Sequence, residues 1–406
     1  MGLVCAPALW GQQSFSWEQI KQRFQNVNPT LRAGQIGIAE SRAQEVTAYL
    51  RPNPTLTISA DQFEPFNLSS PYRPLATVLN SASVNYLHER QHKRELRLES
   101  AVKGTEIAAS QQSDLNRTLL FMLRSAFVQA LQAKNVYAAA KENIDQYDRV
   151  LALNRERKQA GDISEVDLNR LELQRVQFES DLQTAIVNQR TAKIQLLTLL
   201  NDRTPPDQFE ISAPFDFPDQ VVGLEELRAV ALQERPDLKA ALQTVSRAET
   251  EHRLAIANGS ADPIFGVDYG RNPPLTNYVG FSVSFPLRIF DKNQGEKTRT
   301  ELDIQRTARL QEVTRAQVFS DVDSAFATAN NTLTLLRPYK TRYLVTAAKV
   351  RDTINYAFTN GAASLLDFLQ AQQDYRAIQV SYLNLIGAYQ TAAAQLNQAV
   401  GREAIQ

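Results

Sequence analysis

The sequence predicts a mainly α-helical fold with a small β part: long antiparallel coiled-coil helices joined to four short β-strands per chain. Three observations predict it. A heptad seam crosses the proline-free stretch from Leu75 to Thr204, four segments alternate apolar with small or polar residues, and both features occur twice. The 406 residues carry 44 Lys+Arg against 44 Asp+Glu, one Cys and three His. A zero net charge excludes the phosphate-neutralising footprint of a nucleic-acid binder. One Cys makes neither a disulfide framework nor a thiolate metal site, and His88, His92 and His252 lack ligand spacing. No nucleophile–base pair, metal cluster or phosphate loop is present, so neither an enzyme nor a cofactor is expected. No apolar run approaches the roughly 18–20 residues of a membrane-spanning helix, which leaves a membrane β-barrel open.

The repeat sets the domain plan. At a shift of 200 residues Gly161 meets Gly361, Ser164 meets Ser364, Asp167 meets Asp367 and Ile186 meets Ile386, without a gap. Asn28-Pro29-Thr30-Leu31 likewise matches Arg235-Pro236-Asp237-Leu238. The expected organisation is a signal-peptide remnant over 1–11, a first repeat over 12–201, a proline-rich equatorial linker over 202–223 and a second repeat over 224–406. Met1 to Gly11 reads as the apolar tail of a secretory leader whose basic start is missing; Cys5 is either a lipidation site or a discarded leader residue.

Each repeat then follows one order. A short helix (Trp17 to Gln25; Leu224 to Gln233) stops before an X-Pro step, as proline sterics require. A second helix follows (Pro29 to Leu50; Pro236 to Asn258), then two strands, a very long helix, a tight turn and a return helix. The seam Leu119, Leu123, Ala126, Ala130, Ala133, Tyr137, Ala140, Ile144, Tyr147, Leu151 alternates steps of four and three. Val322, Ala325, Ala329, Leu336, Tyr343, Ala347, Val350 and Ile354 continue it in the second repeat, with a kink expected at Pro338. At about 1.5 Å per residue, Gln91 to Ala160 spans ~105 Å, close to the sum of Glu165 to Asn201 (~55 Å) and Pro236 to Asn258 (~35 Å). The linker is therefore expected at the waist of a rod.

The strands pair Leu56, Ile58 and Ala60 with intervening polar residues ending at Asp61. Ala82, Val84 and Tyr86 alternate with Ser83 and Asn85, Phe265, Val267 and Tyr269 with Asp268, and Val279, Phe281 and Val283 with Ser282. One apolar and one polar face suit lipid outside and water inside. Phe63, Tyr72, Tyr86, Tyr269 and Phe285 fit interface girdles; a soluble two-sided sheet is the plainer reading. Four strands cannot close a barrel and open edges are not tolerated in hydrocarbon, so membrane strands require oligomerisation, and three copies give a 12-stranded barrel.

Ser284-Phe285-Pro286-Leu287-Arg288-Ile289-Phe290-Asp291-Lys292-Asn293-Gln294-Gly295, together with Arg235-Pro236-Asp237-Leu238 and Asn28-Pro29-Thr30-Leu31, resembles the corresponding motifs of TolC-like outer-membrane efflux proteins. The branch serving heavy-metal resistance-nodulation-division pumps is the most similar. Glu89-Arg90-Gln91-His92-Lys93-Arg94 stands where that branch has Glu, paired Gly and Lys-Arg, with Gln91 and His92 replacing the glycines. The resemblance implies a homotrimer in the outer membrane that extends into the periplasm, with a twelve-helix α-helical tunnel and an iris-like gate at the periplasmic tip. It also implies a periplasmic adaptor and an inner-membrane RND transporter as partners, outer-membrane lipid around the barrel, and passive export of small molecules or metal ions.

The tip residues follow. Gly161 and Gly361 suit the left-handed position that ends a helix, and Ser164 and Ser364 read as N-caps with Asp167 and Asp367 completing a capping-box variant. The resemblance places an aspartate at Asp367 in the tip constriction and gives the tip turns to adaptor docking. Gln370 replaces a second acidic position of that pattern, while Phe358 and Ala363 replace the tyrosine and arginine that tie the gate. Asp167 keeps the tyrosine's partner position, so packing by Phe358, Leu365, Leu366 and Phe368 is expected to hold the tip. Arg90, His92, Lys93, Arg94 and Arg97 cluster at the strand-to-helix junction, either facing phospholipid headgroups or forming a solvated face paired with Glu89, Glu95 and Glu99. Asp61, Asn85 and Asp268 are expected in the barrel lumen. Two rival readings share parts of this pattern: an outer-membrane channel of type I protein secretion, and a soluble coiled-coil scaffold.

Overall fold

The computed structural model describes residues 14–63, 78–218, 223–271 and 277–405. The leader reading over 1–11, with Cys5, and the aromatic Tyr72 lie outside the described residues. In chain order the elements are β1 Ser14–Phe15, α1 Trp17–Val27, α2 Pro29–Tyr49, β2 Thr55–Asp61, β3 Leu79–Leu87, α3 Lys93–Ala160 and α4 Glu165–Leu199. A 3₁₀ turn Pro206–Gln208, β4 Glu210–Ile211, α5 Leu224–Glu234, α6 Pro236–Asn258, β5 Ile264–Arg271 and β6 Asn277–Ser284 follow. Then come α7 Gln294–Pro338, a π segment Tyr339–Tyr343, α8 Leu344–Thr359 and α9 Leu365–Val400.

Local chemistry sets the starts and stops. Ser16 and Gln19 form a reciprocal capping box at the head of α1. Asn28 is extended, as the residue before Pro29 must be, and its Oδ1 accepts the N–H groups of Thr30 and Leu31 at 2.9 and 3.1 Å. Arg235 is extended before Pro236 in the same way. α3 runs 68 residues, ~100 Å, and Gly104 does not interrupt it.

The contacts divide the chain into two compact units, 1–33 with 113–236 and 316–406, and 34–112 with 237–315, each drawing on both repeats. The second unit holds an antiparallel sheet in the order β2-β3-β5-β6. Its register aligns Leu56, Val84, Val267 and Phe281 across the four strands, and Ile58, Ala82, Tyr269 and Val279 beside them. This apolar face is uncovered, with Ile58 76% and Phe281 82% exposed. The opposite face aligns Thr57, Ser83, Asp268 and Gly280, and Thr55, Asn85, Gly266 and Ser282. Glycines there make room for large neighbours: a Cβ on Gly280 would meet the Asp268 carboxylate at 2.5 Å, and one on Gly270 the Tyr278 ring at 2.6 Å.

In the first unit all ten positions of the first seam are buried or half-buried. The linker is part of this packing. β4 pairs in parallel with β1, and Phe209 and Ile211 are buried with Ile20, Phe24, Leu123 and Phe127. Lys134 Nζ donates to the Ile211 carbonyl at 2.7 Å, and Lys193 pairs with Glu210. Two-residue strands have too little alternation to be foreseen. Phe215 and Phe217 continue onto Leu333, Leu336, Ile386 and Tyr389.

The second seam needs a correction. Val322, Ala325, Ala329 and Leu336 are buried, but Tyr343 and Val350 are exposed, while Ala347 is buried and Ile354 half-buried. Pro338 has no N–H to continue the ladder, and a π segment follows it in place of a simple kink. Each residue added to a turn rotates the faces beyond it by about 100°, so a strict heptad cannot be carried across.

Candidate functional site: the hairpin ends and the strand-to-helix junction

Both helical hairpins of the first unit turn by the same hydrogen bonds, 200 residues apart. The Gly161 N–H donates to the Lys158 carbonyl at 3.1 Å and the Asp162 N–H to Arg157 at 2.8 Å; Gly361 and Ala362 do the same to Phe358 and Ala357 at 3.1 and 2.8 Å. This is the Schellman pattern, and it places Gly161 at φ +87° and Gly361 at φ +74°. A Cβ at either glycine would meet nothing within 4 Å, so the backbone angle alone selects glycine. Ser164 Oγ accepts the Asp167 N–H at 3.0 Å and Ser364 Oγ that of Asp367 at 3.1 Å. Each serine hydroxyl donates to its aspartate at 2.7 Å, and the Ser364 N–H also reaches Asp367 at 3.3 Å.

Behind the turns an aromatic core joins the two hairpins. Phe358 stacks on Phe368 at 4.7 Å between centroids, Tyr147 stacks on Phe178 at 4.6 Å, and Tyr147 lies 6.5 Å from Phe368. Leu151 and Leu171 fill the remaining space. The Tyr147 hydroxyl donates to the Leu171 carbonyl at 2.9 Å, and burial pushes its pKa above the ordinary phenol range. Arg157 lies over the Phe358 ring at 5.8 Å and donates to the Phe358 carbonyl at 3.4 Å. Arg376 lies over Phe178 at 4.9 Å and pairs with Asp181 at 3.0 Å.

Of the expected packing residues, Leu365 lies against this core but Leu366 is 75% exposed and takes no part in it. The capping serine sets the phase of α9, which turns Leu365 and Phe368 inward and Leu366 outward. Phe358 is not joined to Asp167, whose other neighbour is Arg170 at 3.8 Å. Asp367 and Gln370 are exposed, and the Gln370 amide donates to Asp374 at 2.7 Å. Asp367, Gln370 and Asp374 follow the three- and four-residue steps of one helix face. Asp374 was missed because Gln370 reads as the loss of an acid; the i,i+4 pairing could have found it.

In the second unit Asp61, Asn85 and Asp268 share the polar face of the sheet, with Asp61 accepting from Ser59 Oγ at 2.8 Å. At the foot of the sheet Arg90 and His92 of the basic cluster are exposed, but Lys93 is not. Lys93 is only 4% exposed, and its ammonium pairs with Asp262 at 2.6 Å and with the Ser260 carbonyl at 2.9 Å. The Arg90 N–H donates to Asp262 at 3.0 Å. Burial of Asp262 opposes ionisation, but the hydrogen bonds from Lys93 and Arg90 outweigh it and hold the carboxyl below the usual aspartate range. Arg97 binds Glu89 and Arg94 binds Glu95, as expected, whereas Glu99 turns to Lys103 and Arg253. Gln91 and His92 stand at φ +58° and +54°, so the left-handed backbone suited to paired glycines persists here with side chains on it. His252 bonds Thr300 at 2.9 Å. Among the described residues no helix is long and apolar enough to cross a membrane, and no group of three or more His, Cys, Asp or Glu is placed to hold a metal.

Comparison with known proteins agrees with this fold. Residues 227–402 match the family described as outer membrane efflux protein. The cobalt-zinc-cadmium resistance protein CzcC of Cupriavidus metallidurans is 25% identical over 345 residues, covering 80% of this chain and 78% of its own. Among solved structures, the open-state MtrE outer membrane channel of Neisseria gonorrhoeae superposes with a TM-score of 0.78 at 16% identity, covering 95% of this chain and 89% of that one. CusC, in a study of conformational changes accompanying folding and transmembrane channel formation, gives 0.77 at 17% identity over 97% and 96%. At these identities the solved structures establish the fold.

Proposed function

We propose that this chain, which resembles outer membrane efflux proteins in sequence over its second repeat and in fold over nearly its whole length, is the outer-membrane channel of a tripartite efflux system. The observation that carries the reading is the four-stranded sheet: one face apolar and uncovered, the other small and polar, with β2 and β6 as open edges among the described residues. Such a sheet suits lipid only if copies close it into a barrel, and three copies supply 12 strands, with Asp61, Asn85 and Asp268 toward the water-filled lumen. The long helices of the same three chains form the periplasmic tunnel.

The hairpin ends are the tunnel's periplasmic tip. Asp367, Gln370 and Asp167 form its polar rim, with Asp374 added, and Phe358 holds each chain's two hairpins together from behind. Carboxylates repeated around a three-fold axis favour cations over anions. That preference, with the likeness to a cobalt-zinc-cadmium resistance protein, supports divalent metal ions as cargo. The turns at Gly161, Ser164, Gly361 and Ser364 present the surface for a periplasmic adaptor, and an inner-membrane RND transporter supplies the energy. The channel itself does no chemistry.

The first test is the mass of the detergent-solubilised particle from fractionated membranes. A particle of three chains in the outer-membrane fraction is expected, in which Asp367→Ala lowers cation preference in planar bilayers. A soluble monomer overturns the channel reading.

A further inference from the structure

A cavity of about 340 Å³ opens in the second unit at the foot of the sheet, beside the N-terminus of α3. Its walls include Arg51, Tyr86, His88, Arg90, His92 and Arg94. The acids beside them are already engaged: Glu89 by Arg97, and Glu95 by Arg94 and by its own backbone N–H. Arg51 makes no hydrogen bond or ion pair among the described residues. Arg94 lies over the Tyr49 ring at 4.3 Å, and Arg90 holds the Ala261 carbonyl at 3.0 Å through Nε. Arg90 and Arg94 are thus held at fixed places around a polar hollow, and Arg51 completes its wall.

Two further observations indicate what fills it. Tyr86 belongs to the uncovered apolar face, in register with Phe265, and the His88 ring meets Phe265 edge-on at 6.3 Å. The hollow is therefore continuous with the apolar face, a polar socket at the end of a greasy wall. Gln91 and His92 also line it, and both are held in the left-handed region that L-residues rarely adopt. Strain of this kind persists where side chains are wanted at a fixed place.

We propose that this cavity seats the phosphate-bearing headgroup of a phospholipid, with its acyl chains along the apolar face of β2, β3 and β5. The assignment rests on the membrane reading above. A phosphodiester accepts from guanidinium and imidazole groups without a donor of its own to satisfy, and only a lipid uses both the basic socket and the adjoining apolar strip. The exposed segment Phe285–Phe290 of a neighbouring copy is a poorer occupant, because Phe285, Leu287, Ile289 and Phe290 are apolar and the socket is polar.

Native mass spectrometry of the detergent-solubilised particle, doped with phosphatidylglycerol or with diacylglycerol, tests this. Expected are one phosphatidylglycerol retained per chain, weak retention of diacylglycerol, and at least about fivefold poorer retention in Arg51→Glu, since each basic group at a membrane surface contributes about a factor of five. Arg309→Glu, an exposed change on α7 in the same unit, should leave retention unchanged. Equal retention of both lipids, or an unaffected Arg51→Glu, overturns the socket while a three-chain outer-membrane particle leaves the channel reading standing. Displacement of the lipid by inorganic phosphate alone reassigns the site to a free anion and overturns the lipid source. A soluble monomer removes the membrane reading first, and this proposal with it.

Discussion

The two hairpin ends use one turn and two different surroundings. At a 200-residue offset the two backbone bonds that close each turn recur, because they run from N–H to carbonyl and ask only for glycine at one position; the serine caps recur too, except for the Ser364 N–H to Asp367. The side chains beside them need not match. Phe358 of the second hairpin stacks into the aromatic core, while its counterpart Lys158 is half-buried and lies 3.9 Å from Glu165. The turn is a local solution that both repeats keep; the packing belongs to the assembled unit and is made by one repeat against the other.

This asymmetry can be broken deliberately. Phe358→Ala should cost about 3–5 kcal/mol, the range for emptying a buried aromatic position, and should raise the resting conductance of the reconstituted channel. Lys158→Ala should change urea stability by less than about 0.5 kcal/mol. Equal effects would dissolve the distinction. Gly161→Ala and Gly361→Ala should each cost about 1–2 kcal/mol and be equal to each other, since both enforce the left-handed angle on an L-residue in open space. A large difference between them would reveal a contact beyond the turn. Ser164→Ala and Ser364→Ala should cost about 1 kcal/mol each, with Ser364 the more sensitive because only its cap is reciprocal. The last test lies outside the hairpins: Gln91→Gly with His92→Gly should leave urea stability unchanged or raise it by up to about 1 kcal/mol, where most double substitutions lower it.

The same division explains what could be read in advance. Gly161, Gly361, Ser164 and Ser364 were legible because helix stops and caps are written within a few residues. Strands β2, β3, β5 and β6 were legible because a two-sided sheet imposes period two on its own sequence. Lys93 with Asp262 was not, because the partners are 169 positions apart and neither residue's neighbours announce the other. The exposure of Tyr343 and Val350 was hidden for a different reason. Pro338 signalled a disturbance, but only the backbone shows that the disturbance is a π turn that rotates everything after it. Leu366 was assigned to the packing with Leu365, although successive helical residues point about 100° apart.

The glycines of the sheet bear on how wide a passage can be. Asp268 lies over Gly280, and Tyr278 over Gly270, because no side chain occupies the facing position. In a closed barrel these groups recline along the wall, so the charge is presented tangentially and the central clearance is kept. In the proposed three-chain barrel a methyl group at Gly280 would tip each Asp268 carboxylate toward the axis, narrowing the bore and concentrating negative charge in its middle. The calibre of such a barrel is set by the residues with no side chain, and the acidic residues only colour the surface they leave.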